Sequence, residues 1–140
     1  MNEVEYFLEA MDRARRSPTR ENLLQMVEKL SPFSPPGLEW GIELSFLAGV
    51  TYMLEDGRLL MVRVSRDEFG PFMQTSVTQI SLQDIPDSAL KPISDVDTFI
   101  AGLLKHLNMW LNRAPVDHPR SRSVEMLVQA LEENFSPEII

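Results

Sequence analysis

From Leu44 to Leu54 apolar side chains recur at every second position: Leu44, Phe46, Ala48, Val50, Tyr52 and Leu54. Glu43, Ser45, Leu47, Gly49, Thr51, Met53 and Glu55 fall between them. A period of two marks a strand. The alternation resumes after Glu55-Asp56-Gly57 with Leu60, Val62 and Val64, so the stretch predicts a β-hairpin. A two-residue Asp56-Gly57 turn would oppose Val50 to Arg63 and Tyr52 to Met61, placing an arginine in the richest apolar row. A three-residue loop opposes Val50 to Val62 and Tyr52 to Leu60, and one residue of slip exchanges the faces of a strand. The apolar pattern therefore favours the three-residue loop, with Gly57 at positive φ, where it has no Cβ to clash. In that register Leu47, Met53, Leu59 and Met61 form a second, mixed face beside Gly49 and Thr51.

Elsewhere the period lengthens to that of a helix. Val4, Phe7, Leu8, Met11 and Ala14 follow Asn2, a helix cap with Glu5 as its capping-box partner. Ser17-Pro18 predicts a cap and first-turn proline for a second helix on Leu23, Met26, Val27 and Leu30. Only a few residues separate the two, which predicts a helical hairpin. A proline-stiffened connection follows, with Pro32, Pro35 and Pro36 around Phe33 and Trp40. Those two aromatics are candidate anchors for a partner, because little entropy is lost when they dock. A third strand is expected over about 72–80, thin in apolar residues as an edge strand would be. Ser94, with Asp97, is expected to cap a long helix on Val96, Phe99, Ile100, Leu103, Leu104, Leu107, Trp110 and Leu111. Ser121 or Ser123 is expected to cap a last one on Val124, Leu127, Val128, Leu131 and Phe135. The order predicted is ααβββαα: a single α+β domain over 1–140, a three-stranded antiparallel meander flanked by two N-terminal and two C-terminal helices.

Composition narrows the partners. The net charge is −8, from 13 basic and 21 acidic residues. Residues 37–97 hold 10 of the acids and only 4 of the bases. Such a surface repels phosphate, which argues against nucleic acid and anionic membrane and favours a basic protein. The 140 residues contain no cysteine, so disulfides and thiolate chemistry are excluded and a reducing, cytoplasmic setting is expected. The acidic start of the chain, Met-Asn-Glu-Val-Glu, shows no signal peptide, and no apolar run reaches the ~20 residues that span a bilayer. Arg13, Arg15, Arg16 and Arg20 make one local basic cluster, which suits the negative end of a helix.

Chemistry is sparse. The six glycines form no phosphate loop, and neither a nucleophile elbow nor a zinc-protease helix is present. A metal site would need His106, His118 and a carboxylate such as Asp117 to converge, and the pairs Glu55-Asp56 and Asp67-Glu68 fall where exposed turns are expected. No cofactor and no metal are expected. The eight methionines add adaptable apolar surface.

These features predict a non-enzymatic protein-binding module, a small acidic cytoplasmic adaptor or inhibitor that captures a protein partner. In size and acidity, which are bulk properties only, the chain is similar to toxin-neutralising immunity proteins and secretion chaperones. The candidate partner-binding residues are Leu47, Met53, Leu59, Met61, Phe33 and Trp40. The alternative is a small-molecule-binding or enzymatic domain with a pocket between sheet and long helix, where Tyr52, His106, Trp110 and His118 would matter.

Overall fold

A computed structural model describes residues 2–66, 73–113 and 118–134. Its helices begin where side chains satisfy the first free N–H groups. In α1 (Glu3–Arg16) the N–H of Glu5 donates to Asn2 Oδ1 at 2.9 Å. In α2 (Arg20–Leu30) the N–H of Asn22 donates to Thr19 Oγ1 at 3.2 Å. The cap of α2 is thus Thr19, not Ser17, whose N–H instead closes α1 on the carbonyl of Arg13. Likewise Asp95 and not Ser94 caps the long helix, bonding both the N–H and the hydroxyl of Thr98.

The sheet is a four-stranded antiparallel meander in the order β1 (Ile42–Leu47), β2 (Val50–Glu55), β3 (Arg58–Arg66), β4 (Met73–Gln79). The architecture is α+β with helices before and after the sheet, ααββββαα in its main elements. The expected first strand is two. It breaks at Ala48-Gly49, both at positive φ (54° and 79°), and Leu47 pairs with Val50. Positive φ at both central residues is the geometry of a two-residue hairpin turn whose twist matches its strands. Asp56-Gly57 repeats it, at 49° and 81° with Glu55 paired to Arg58.

The three-residue loop is therefore corrected to a two-residue turn, and the register slips by one: Val50 opposes Arg63 and Tyr52 opposes Met61. Arg63 is tolerated there because that end of the row is solvated. Arg63 is exposed and Val50 only half-buried. A β-bulge between Glu43 and Ser45 adds one residue to β1, so Leu44 and Ser45 are buried in succession.

After β4 the chain coils into α3 (Asp87–Leu90), a short helix absent from the predicted order, flanked by 3₁₀ turns at Leu82–Asp84 and Pro92–Ser94. The long helix is α4 (Val96–Arg113), and α5 (Pro119–Asn134) begins with its proline in the first turn. His118 precedes it, with Nδ1 accepting the Arg120 N–H at 3.1 Å. Neither Ser121 nor Ser123 is the cap.

One hydrophobic core joins all of these. It takes Phe7 and Met11 from α1, Met26 and Leu30 from α2, Ile100, Leu107 and Trp110 from α4, and Leu127 and Leu131 from α5. The sheet supplies Ile42, Leu44, Leu54 and Leu59, with Tyr52 partly buried against them. Ile42, Leu54, Leu59 and Tyr52 share one face by register, since Ile42 pairs with Leu54 and Leu54 with Leu59. The helices of this core therefore pack on the Tyr52–Leu54–Leu59 side of the sheet, where each large apolar side chain buried contributes roughly 1.5–3 kcal/mol. On the other side Leu60, paired with Met53, is also buried, at 2% exposed.

Candidate functional site

The other face of the sheet is read from the same pairings. Phe46 opposes Thr51, Thr51 opposes Val62, and Val62 opposes Val77, so one row crosses all four strands. Val64, paired with Thr75, lies beside it. Phe46 is 62% exposed, Val77 45% and Val64 37%, while Val62 at the centre is 8% exposed. Four strands about 4.8 Å apart carry this apolar row over roughly 14 Å. Such a row departs from the clean polar alternation of a solvated sheet face.

The row ends at a projecting hairpin tip. Leu47, one residue on from Phe46, points to the opposite face and is 63% exposed. The Ala48-Gly49 turn follows at once, so two large apolar side chains stand on opposite faces of one tip.

The opposite end of the sheet is bolted down. Around the Asp56-Gly57 turn, the Asp56 N–H donates to the Pro35 carbonyl at 3.2 Å and the Gly57 N–H to Ser34 Oγ at 2.8 Å. Ser34 in turn donates to the Ser31 carbonyl at 2.7 Å. From α5, Arg120 donates through Nε to Asp56 Oδ1 at 2.9 Å and also holds the Pro32 carbonyl. Glu55, expected as an exposed turn acid, is 6% exposed. Its carboxylate accepts the Gly37 N–H at 2.8 Å and the Arg58 guanidinium.

Of the residues picked out from the sequence, Phe33 is fully buried and Leu59 belongs to the core, so neither presents a surface. Trp40 is half-buried: Arg113 stands 5.7 Å over its ring and its carbonyl lies 2.7 Å from His106 Nε2. Met53 is on the open face, paired with Leu60, and lies against Gly41, where an added Cβ would meet its sulfur at 2.6 Å. Met61 is half-buried on the helix side, opposite Tyr52. Leu47 is exposed, on the helix side but at the free tip. The predicted second face is thus divided between the two sides by the register. Phe46, Val62, Val64 and Val77 take its place. The signal for Phe46 was Gly49, since a glycine inside a strand pattern marks a bulge or turn.

A groove of about 390 Å³ does lie between β1 and α4, lined among others by Gly41, Glu43, Thr98, Phe99 and His106. Tyr52, Trp110 and His118 are not on its wall. The Nε2 atom of His106 carries the proton in its contact with Trp40, because a carbonyl only accepts. His118 stacks edge-on against Trp110, ring centres 5.5 Å apart. Among the described residues no group of three or more His, Asp or Glu side chains converges as metal ligands would. Asp117, Asp67 and Glu68 lie outside the described residues. The arginine cluster is engaged internally: Arg13 with Glu9, Arg16 with Asp12, Arg15 with Asp97 and Arg20 with Asp87. Among the described residues no helix is long and apolar enough to cross a membrane.

Neither the family models, nor the curated proteins, nor the solved structures gave a match to this chain.

Proposed function

We propose that this chain is a non-enzymatic protein-binding module, an acidic adaptor or inhibitor that captures a basic protein on the open face of its sheet. The observation that carries the reading is the cross-strand row Phe46–Thr51–Val62–Val77, with Phe46 62% exposed, on the side away from the core helices. An apolar patch rimmed by polar residues is what a partner surface offers, and an exposed aromatic anchor supplies contact area at little entropic cost. Charge supplies the rest. A net −8 steers a basic partner into encounter and repels acidic competitors. The absence of cysteine is in keeping with work in the reducing cytoplasm.

The test is comparative capture from the native cell with immobilised wild-type and Phe46→Ser protein. Wild type is expected to recover one basic protein in stoichiometric amount, and Phe46→Ser to lose it at an unchanged melting temperature. Equal recovery by both variants overturns this face as the binding surface.

A further inference from the structure

The open face says where a partner rests but not in what form it comes. At the edge of the sheet the backbone narrows that choice. The edges differ: β1 is packed against α3 and the 3₁₀ turn Pro92–Ser94, whereas the only described element in extensive contact with β4 is β3. Every side chain from Thr75 to Gln79 is exposed. Natural edge strands are usually blunted by charge, proline or a bulge. The run Met73–Gln79, Met-Gln-Thr-Ser-Val-Thr-Gln, contains no charged residue, proline or glycine, and its pairing with β3 runs without a register shift.

The direction of its free hydrogen-bonding groups follows from two bonds. The N–H of Ile80 donates to the Leu59 carbonyl across to β3 at 3.0 Å, and the N–H of Val64 donates the other way, to Gly49 at 3.1 Å. Antiparallel ladders alternate, so both bonds give one parity: Ser76 and Thr78 face β3, while the N–H and C=O groups of Thr75, Val77 and Gln79 point outward.

Resting on the protein-binding reading above, we infer that β4 captures its partner by strand addition, and that the added strand is an extended basic segment of the partner protein. A strand seated there places one side chain directly beside Val77 on the open face. A β-branched residue at that position carries the row Phe46–Thr51–Val62–Val77 onto a fifth strand. Charge selects the occupant. A second copy would bring one net −8 against another, whereas lysines flanking a β-branched core are attracted.

The probe is a short synthetic peptide of alternating threonine and valine with paired lysines at both ends, compared with its glutamate-ended twin. Hydrogen exchange followed by NMR is expected to show new protection at the amides of Thr75, Val77 and Gln79, with those of Ser76 and Thr78 unchanged. The glutamate-ended peptide is expected to bind about tenfold or more weakly at low salt, a gap that closes as salt screens it. Thr75→Pro removes an outward N–H without touching the ladder or the Phe46 row, and is expected to abolish the protection. Protection absent from the outward amides, equal binding of the two peptides, or a dimer by sedimentation that Thr75→Pro dissolves would each overturn the inference. If Thr75→Pro still captures the partner that Phe46→Ser loses, strand addition fails while the binding face stands.

Discussion

Ala48 sits at φ 54° in the turn between β1 and β2. An L-residue with a Cβ pays about 1 kcal/mol for the left-handed region, and asparagine pays much less because its side chain bonds locally. Ala48→Asn should therefore stabilise the protein by roughly 0.5–1 kcal/mol, without the unfolded-state entropy that glycine would add. For a chain of this length that is a rise of about 2–4 °C in melting temperature. Ala48→Val moves the other way, by roughly 1–2 kcal/mol, because a β-branched side chain at positive φ is strained. Thermal unfolding by circular dichroism with a urea series reads both. The experiment discriminates sharply, since an unbroken strand from Leu44 to Leu54 predicts the opposite signs: valine would stabilise and asparagine would not. A higher melting temperature for Ala48→Val than for Ala48→Asn would refute the turn, and with it the register of the whole open face.

Two further variants probe the packing of Phe33 and Gly41. Phe33→Ala should cost about 3–5 kcal/mol, as truncation of a fully buried aromatic does, and urea unfolding should show it as a large loss in midpoint. Gly41→Ala should cost roughly 1–3 kcal/mol, because the new methyl meets Met53 sulfur at 2.6 Å and the Leu54 carbonyl at 3.3 Å. Adding Met53→Ala should recover part of that loss in a double-mutant cycle, and strict additivity would show that the two residues do not touch.

The helices were legible because each carries its apolar stripe through several turns without interruption. The buried residues on α1, α4 and α5 follow it, with Leu8, Phe99, Leu104 and Leu111 at its partly buried margin and Phe135 outside the described residues. The sheet was legible as a meander but not in its phase. A two-residue turn places Leu47 and Val50 on the same face, although an alternating pattern assigns them to opposite ones. The bulge at Leu44 shifts the phase once more. Two shifts inside one apolar run leave the sequence alternation intact while moving Phe46 from the predicted core row to the open face. The register error at Gly57 has a different source. It assumed that an apolar row stays buried along its whole length, and Arg63 lies where the row has already run out from under the helices. Helix starts were misplaced by one to five residues where several capping side chains compete, as with Ser94 and Asp95 or His118 against Ser121 and Ser123.

The clamp around Asp56 and Gly57 gives the sheet a moored end, in contrast to the exposed tip at Ala48-Gly49. Segments as distant in sequence as Pro32 and Arg120 converge on the moored turn, while the Ala48-Gly49 turn at the far end stands clear of the core. At the moored end a substitution must break hydrogen bonds from residues 31–35 and from Arg120. At Phe46 and Leu47, 62% and 63% exposed, side chains can be exchanged without disturbing Leu54 and Leu59 in the core. The surface of the tip can therefore vary in sequence at little cost to the stability of the fold.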